Sequence, residues 1–199
     1  MDSKTLRQLQ LVELKILLEI KRICELANIN YFLIGGTLLG AVRHGGFIPW
    51  DDDIDIGMLR DDYNRFLDVF PQLSNKEYTL GTYNTDRGHV FSFGKIRLNG
   101  TQFREPRNEH ILDNQGIYVD IFPYDNTPDS KIVRRFHHIL LALLETTVTR
   151  KYRYRDVRPE SIHGYLFDLV CRLLAIMVPK DFLISYREKL NKNNKKKKK

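Results

Sequence analysis

Two short segments decide the fold of this chain: YFLIGGT at residues 31–37 and DID at residues 53–55. The first joins an apolar, aromatic run, which is typical of a buried strand, to two glycines and a hydroxyl residue. We interpret it as a strand, a turn at Gly35-Gly36 and a helix that Thr37 caps. Backbone N–H groups at such a helix N-terminus bind phosphate, so Gly35, Gly36 and Thr37 are candidate phosphate-binding residues.

The second segment places two carboxylates one residue apart between apolar neighbours. Residues one apart in a strand point to the same face, so we expect Asp53 and Asp55 to project together from a strand at 53–59. Such close like charges raise each other's pKa unless a cation lies between them, and paired carboxylates suit Mg²⁺ or Mn²⁺. The alternative is an exposed acidic turn, because residues 51–53 follow Pro49-Trp50. The phosphate-binding turn nearby favours a metal-dependent phosphate-transfer site.

A third carboxylate, Asp120, lies in the middle of the apolar segment 118–122. A lone acid in an apolar strand is costly unless it is paired, hydrogen-bonded or metal-bound. An edge-strand aspartate that faces solvent is the alternative, and the predicted carboxylate pair favours Asp120 as a third site residue. Arg43 and Lys95 or Arg97 are candidates to bind phosphate oxygens, with solvated surface cations as the alternative. Trp50 is either a stacking surface for a base or sugar, or a core residue.

Hydrophobic periodicity predicts a catalytic core with strands, followed by a helical part. The predicted helices cover residues 4–27, 37–43, 61–70, 130–150, 162–178 and 181–190, with Pro71 as the stop of the third. The predicted strands cover residues 31–34, 53–59, 78–83, 90–98 and 116–122, with a hairpin turn at Asn99-Gly100. We divide the chain into a core at 1–128, a helical part at 129–190 and a disordered, Lys-rich tail at 191–199.

The distribution of charge argues against a nucleic-acid binder. The net charge is +7, but residues 1–120 carry 14 Lys and Arg against 17 Asp and Glu, so the catalytic part is mildly acidic. Cys24 and Cys171 are far apart in apolar contexts, which predicts buried thiols. The start of the chain lacks a signal-peptide pattern, and no apolar run reaches membrane-spanning length. We therefore expect a cytoplasmic protein, and the basic C-terminal half leaves open a contact with the inner face of the membrane.

The long run at residues 35–44, continued at 46–56, resembles the signature of the LicD family of phosphotransferases, which also includes fukutin-type enzymes. The resemblance extends over roughly residues 6–124. It implies an α+β, nucleotidyltransferase-type (polymerase-β-like) fold with a mixed sheet and flanking helices. It also implies that Asp53 and Asp55 are the metal-binding pair, that Asp120 is the third carboxylate, and that residues 35–37 contact phosphate.

The activity that this resemblance implies is the metal-dependent transfer of a phosphorylated small group. We expect phosphocholine from CDP-choline as that group, and a lipid-linked sugar of teichoic acid, lipopolysaccharide or a related surface glycan as the acceptor. Asp120 would take the proton of the sugar hydroxyl or complete the metal shell. Two alternatives stay open: a nucleotidyltransferase that attaches the nucleoside monophosphate itself, and a non-catalytic binding protein on the same fold. Since relatives continue beyond the point at which this chain becomes Asn and Lys, a truncation is one hypothesis for the tail.

Overall fold

The computed structural model describes residues 1–86, 89–103, 115–151 and 161–192. The described residues up to Tyr124 belong to one compact unit and those from Asp125 onward to a second. The predicted boundary after residue 128 stays a prediction. In chain order the elements are α1 (Ser3–Ala27), β1 (Phe32–Leu33), α2 (Gly35–His44), β2 (Asp55–Leu59), α3 (Arg60–Leu73), β3 (Tyr78–Gly81), β4 (Gly94–Leu98), β5 (Tyr118–Tyr124), α4 (Lys131–Lys151), α5 (Ile162–Met177) and α6 (Lys180–Lys192).

The first unit is built on a mixed five-stranded sheet, which confirms the predicted α+β class. The strand order is β1-β2-β5-β4-β3. Strands β2 and β5 run parallel, and every other pairing is antiparallel. A parallel pair needs a long crossover connection between its strands. Here more than fifty residues separate β2 from β5 in the sequence.

Apolar and polar side chains alternate along the strands, so the sheet has one apolar face and one polar face. Ile54, Ile56, Ile96, Val119 and Ile121 are buried in a core that also receives side chains of α1 and α3. Because successive side chains of a strand point to opposite faces, the residues between these positions share the other face. Asp55, Lys95 and Asp120 are among them, so the fold directs charged residues away from its core.

The start of α2 differs from the prediction. The helix begins at Gly35, whose φ of +55° suits glycine, and not at Thr37. Ile34 occupies the N-cap position without a side-chain capping bond. The Thr37 hydroxyl instead accepts a hydrogen bond from the backbone N–H of Asp55 at 2.8 Å. The prediction that Thr37 caps the helix is wrong, because this hydroxyl joins α2 to the first residue of β2.

Three other element boundaries differ for local reasons. The strand β2 begins at Asp55, so Asp53 lies in the preceding loop. Helix α3 continues through Pro71, since proline lacks only its own N–H donor, and the Ser74 N–H closes the last turn on the Phe70 carbonyl. The predicted strand at 90–98 starts only at Gly94, after a loop in which a ring nitrogen of His89 lies 2.6 Å from the Phe93 carbonyl oxygen.

The Asn99-Gly100 turn is present, but it does not close a hairpin. Gly100 has a φ of +75°, as such a turn requires. The pairing between the two chain segments continues beyond it, since the Phe103 N–H donates to the Gln115 carbonyl at 2.7 Å. The connection between the strands therefore falls on residues 104–114, outside the described residues.

The second unit contains helices α4, α5 and α6, and α4 packs against both others. Arg187, which is fully buried, donates to Glu145 at 2.9 Å, and Arg150 donates to Asp168 at 2.6 Å. Cys171 in this unit and Cys24 in the first are buried free thiols, as predicted. Among the described helices of either unit, none combines the length and apolar character needed to cross a bilayer. The predicted tail at 191–199 lies outside the described residues, apart from its first two.

Candidate functional site

The sheet brings two of the predicted carboxylates together. Asp55 is the register partner of Asp120 across the parallel pair β2 and β5. The Asp120 N–H donates to the Ile54 carbonyl at 3.0 Å, and the Asp55 carbonyl accepts from the Ile34 N–H at 3.2 Å. Both backbones are therefore fixed by ladder hydrogen bonds, and the two carboxylates project from adjacent strands on the polar face of the sheet.

Lys95 from β4 neutralises Asp120. The two residues are register partners across the antiparallel pair β4 and β5. The Lys95 ammonium donates to Oδ2 of Asp120 at 2.9 Å and lies 2.7 Å from Oδ1. Lys95 is only 4% exposed and Asp120 only 8%. The structure thus places Lys95, predicted as a phosphate ligand, against the third carboxylate.

The loop before β2 adds a second group of carboxylates. One oxygen from each of Asp51, Asp52 and Asp53 lies within 4.8 Å of the others, a spacing that suits one cation. Within the described parts of the chain, Asp55 and Asp120 do not join this group of mutually close oxygens. Asp53 belongs to the loop group, and its charge also acts on Asp55 and Asp120.

The N-terminus of α2 faces these carboxylates directly. A Cβ atom built on Gly36 would lie 2.5 Å from Oδ2 of Asp51, and one built on Gly35 would lie 3.4 Å from Oδ2 of Asp55. The glycines thus allow the helix N-terminus, with its partial positive charge, to approach the two aspartates. The predicted phosphate-binding turn and the predicted carboxylate site share one location.

Burial and like charges raise the pKa values of the strand carboxylates. Burial raises the pKa of Asp55 to about 7, and the nearby charges of Asp53 and Asp120 add to that shift. Burial also raises the pKa of Asp120 to about 6, although Lys95 opposes this shift. Carboxylates that repel one another in a buried site are stabilised when a cation binds between them. Because the donors are all carboxylate oxygens, the residues fit the Mg²⁺ or Mn²⁺ that the sequence predicts.

Helix α1 contributes two polar residues that the sequence analysis missed. The side chain of Gln10 donates to the Asp51 carbonyl at 2.9 Å and to the Ile48 carbonyl at 3.4 Å, which holds the acidic loop against the helix. Glu13, one turn further, is 2% exposed. Both residues lie beside the apolar stripe of an amphipathic helix, where polar side chains are ordinary, so the sequence pattern did not single them out.

The remaining predicted residues lie in other places. Arg43 is exposed in the last turn of α2, about 12 Å along the helix axis from Gly35 at 1.5 Å per residue. Arg97 is buried, and its guanidinium lies 3.7 Å from a carboxylate oxygen of Asp86. Trp50 is 76% exposed, so the core alternative for this residue is wrong. Phosphate binding by Arg43 or Arg97 stays a prediction.

Aromatic rings surround the Lys95 ammonium on the polar face. Its nitrogen lies 3.4 Å from the ring centroid of Tyr118, 5.2 Å from that of Phe91 and 5.5 Å from that of Phe93. Phe93 in turn packs on Phe122 with centroids 4.3 Å apart. We call these four residues the aromatic wall. Its ring faces attract cations, and Lys95 occupies part of it.

Comparison with known proteins identifies relatives of the chain. The chain is 42% identical over 130 residues to the lipopolysaccharide cholinephosphotransferase LicD of Haemophilus influenzae, which covers 65% of the chain and 48% of that protein. It is 35% and 34% identical over 102 residues to the ribitol 5-phosphate transferase FKRP of Mus musculus and Homo sapiens, which covers 51% of the chain and 18% of each relative. The chain thus spans less than half the length of these relatives.

The family assignment follows from a match to a sequence profile. The sequence profile described as LicD/FKTN/FKRP, nucleotidyltransferase domain, matches residues 28–159. This range contains the start of α2, the acidic loop and the strands that carry Asp55, Lys95 and Asp120. With most of its length inside this match, the chain belongs to the LicD/FKTN/FKRP family of nucleotidyltransferase domains.

Proposed function

We propose that this protein transfers a phosphorylated alcohol, most readily phosphocholine, from a CDP-activated donor to a sugar hydroxyl of a surface glycan, with Mg²⁺ or Mn²⁺ as cofactor. The relatives support the reaction class, since one is named a cholinephosphotransferase and another a ribitol 5-phosphate transferase. Both names describe the movement of a phosphorylated alcohol. The chain covers only part of either relative, so donor and acceptor are part of the proposal.

The observation that carries the proposal is the register of Asp55 opposite Asp120, beside the acidic loop and the N-terminus of α2. A diphosphate resists attack because its negative charge repels the nucleophile. Asp53 and Asp55 are the residues that would hold the divalent cation, which would supply charge neutralisation for the phosphates and for the departing CMP. The first-turn N–H groups of α2 would then bind phosphate oxygens at the same place.

Asp120 is the residue that we assign to the acceptor proton. In the proposed reaction the sugar oxygen forms a bond to the β-phosphorus while the bond from that phosphorus to the CMP oxygen breaks. The hydroxyl proton passes to Asp120, whose pKa of about 6 suits a base at neutral pH. Lys95 fixes the orientation of that carboxylate through its two close oxygen contacts.

A cationic head group is the donor feature that the aromatic wall favours. The Lys95 ammonium occupies the Tyr118 ring at 3.4 Å, and Asp120 balances its charge, so we assign a quaternary ammonium group to the other rings of the wall. Phe91, Phe93 and Phe122 are each partly exposed. Choline would use this surface, whereas a neutral polyol such as ribitol would not. We therefore place CDP-choline before the other CDP-alcohols.

The proposal includes an acceptor carried on membrane lipid. The supporting observation is the outward face of α5, where Leu166, Leu169, Val170, Leu173 and Ile176 are all exposed. An exposed apolar face of this kind marks a contact with another protein or with a membrane, and the proposal assigns it to the lipid surface. Cosedimentation of the protein with vesicles of neutral and anionic phospholipid tests this part, and Leu169→Asp should reduce the bound fraction.

The experiment that tests the core of the proposal is calorimetric titration of CDP-choline into the full chain, with Mg²⁺ and with EDTA. We expect binding that needs the metal, that Asp53→Asn abolishes, and that the control Asp68→Asn on the exposed face of α3 retains. Binding that is equal with EDTA, or equal in Asp53→Asn, would contradict the proposal. CDP-ethanolamine, CDP-glycerol and CDP-ribitol form the comparison panel.

Product analysis then separates the proposal from its rivals. With a glycan acceptor present, phosphocholine transfer releases free CMP, which chromatography measures. Retention of CMP on the acceptor would instead indicate a nucleotidyltransferase. Failure to bind any divalent metal would favour a non-catalytic binding protein.

A further inference from the structure

A buried histidine closes the loop that carries two rings of the aromatic wall. His89 is 2% exposed, and burial lowers its pKa to about 4, so the imidazole is neutral at pH 7. Its Nε2 lies 2.6 Å from the Phe93 carbonyl oxygen. Because a carbonyl oxygen only accepts, the single N–H of the neutral ring lies on Nε2 and donates to it. The side chain of His89 therefore joins the two ends of the loop at 89–93.

The same imidazole packs edge-on against both phenylalanine rings of this loop. Its centroid lies 5.4 Å from that of Phe91 and 6.4 Å from that of Phe93, with interplanar angles of 80° and 81°. The two phenylalanine rings stack on each other with centroids 4.8 Å apart. The register pairs of β4 and β5 begin only at Gly94, so the strand ladder does not include either phenylalanine. His89 thus contacts both rings and also holds the backbone that carries them.

The second ring nitrogen of His89 is an unused acceptor. Nδ1 is buried and has no hydrogen-bond partner among the described residues. A buried acceptor without a donor is unfavourable, which offsets much of what the single hydrogen bond of the ring contributes to stability. An apolar side chain of similar size would fill the same space without that cost. What the imidazole adds is the bond to Phe93, which determines the shape of the loop.

We propose that His89 is a positioning residue for the donor head group, because it holds Phe91 and Phe93 as the stacked pair that binds a quaternary ammonium group. Stacked ring faces attract such a cation, and Asp120 already balances the neighbouring Lys95 ammonium. The inference rests on the proposed function, since it names the residue that gives the site its preference for a cationic alcohol over a neutral one.

The proposal predicts a selective defect. Displacement of the loop at 89–93 separates the two rings, whereas the proposed phosphate contacts lie at the N-terminus of α2 and do not involve this loop. Loss of the His89 hydrogen bond should therefore weaken binding of the head group and leave binding of the nucleotide unchanged. A residue that only supports the fold would weaken every ligand by a similar factor.

The test measures dissociation constants by calorimetry on the full chain with Mg²⁺, for CDP-choline, CDP-ribitol and CMP. In His89→Leu we expect CDP-choline to bind about 3- to 30-fold more weakly, which is the range of a cation–π contact. CDP-ribitol and CMP lack the cation that aromatic faces attract, so their affinities should stay within about twofold of wild type. A loss for CDP-choline that does not exceed the loss for CDP-ribitol overturns the inference.

Conservative variants distinguish the hydrogen bond from the volume of the ring. His89→Gln places an amide N–H at the same number of bonds from the backbone and should retain the preference for CDP-choline. His89→Asn is one methylene shorter and should lose the preference, which keeps the test decisive if His89→Leu does not fold. Equal affinities of these two variants for CDP-choline would contradict the role of the hydrogen bond.

Two further variants complete the design. Phe91→Leu should lose the same preference, and His89→Leu/Phe91→Leu should lose no more than the larger single loss, because both changes act on one ring pair. The matched control is His137→Leu in the second unit, where a ring nitrogen of His137 lies 3.3 Å from the Leu190 carbonyl oxygen. This variant should retain the wild-type preference for CDP-choline.

Titration with tetramethylammonium, followed by NMR of the aromatic ring protons, separates this inference from the proposed function because it needs no nucleotide and no transfer. If wild type binds tetramethylammonium more tightly than His89→Leu does but releases no CMP from any CDP-alcohol, the inference stands and the transferase proposal fails. If wild type releases CMP from CDP-choline and His89→Leu keeps the same preference for CDP-choline over CDP-ribitol, the inference fails and the transferase proposal stands.

Discussion

Removal of the Lys95 side chain tests how the site carboxylates are balanced. The ammonium of Lys95 contacts both oxygens of Asp120 at 2.7 and 2.9 Å, and both residues are nearly inaccessible to water. In Lys95→Met, Asp120 would remain buried near Asp55 without its cation. Loss of one partner from a buried ion pair costs about 3–5 kcal/mol. The contact of the ammonium with the Tyr118 ring adds about 1–2 kcal/mol.

The assay is urea unfolding followed by circular dichroism in the absence of metal. We expect Lys95→Met to lower the free energy of unfolding by about 4–7 kcal/mol. The double variant Lys95→Met/Asp120→Asn should lose less than the sum of the two single variants, because each single change leaves one buried charge unpaired. The control is Lys15→Met, which breaks the exposed Lys15–Glu77 pair at 3.1 Å and should cost less than about 1 kcal/mol.

Two results would refute this reasoning. A loss below about 1 kcal/mol for Lys95→Met would mean that water or another cation already balances Asp120. Additive losses in the double variant would mean that the two side chains do not interact in solution.

Three further predictions use other parts of the first unit. Gly40→Ala should cost about 1–3 kcal/mol in unfolding experiments, because its Cβ would lie 2.5 Å from the Gly46 carbonyl oxygen, whereas Gly46→Ala enters open space and should change stability little. Between about pH 7 and 8.5 the metal-free protein should lose stability as pH rises. The reason is that Glu13 has a pKa of about 9 and holds in the folded state a proton that the unfolded chain releases. The melting temperature of Glu13→Gln should depend less steeply on pH, and an equally steep dependence would contradict this prediction. Phe93→Leu should weaken CDP-choline binding by about 2- to 30-fold and leave CDP-ribitol binding unchanged in calorimetry, whereas equal losses for both donors would argue against the aromatic wall.

The pH prediction depends on the sign of each shift. Asp55 and Glu13 have raised pKa values, so the folded state binds more protons than the unfolded state, and stability falls as pH rises toward those values. The buried His89 acts in the opposite direction, because burial lowers its pKa to about 4 and the unfolded chain takes up a proton below about pH 6.5. The window above pH 7 is the one in which His89 does not interfere.

Local sequence patterns were sufficient to predict the main elements near the site. The apolar stripe of α1 and the glycine pair before α2 predict these elements because their signals are contained within a few turns of chain. The mixed α+β class follows from the same patterns. A predicted boundary is wrong where a tertiary contact determines the end of the element. At Thr37, for example, the hydroxyl accepts a hydrogen bond from the Asp55 N–H and does not cap its own helix.

The partners within the site were less predictable than its members. Asp55, Lys95 and Asp120 meet because β5 lies between β2 and β4, and no local pattern reports that strand order. The sequence therefore suggested Lys95 as a phosphate ligand without indicating that Asp120 would be its partner. Glu13 was missed for a different reason. A polar residue beside the apolar stripe of a helix is ordinary, and only the tertiary structure shows that this side chain is buried.

The sheet and helix α1 each position acidic residues in this part of the fold. The strands alone position Asp55 and Asp120, one of which Lys95 already balances. The loop before β2 contributes Asp51, Asp52 and Asp53, and their charges act on the buried Glu13 of α1. Folding thus concentrates negative charge that a soluble scaffold would avoid, and repulsion of this kind is retained where function uses it. In the proposed function, a divalent cation and the phosphates that it binds would relieve that repulsion together, which would link the stability of the site to its substrate.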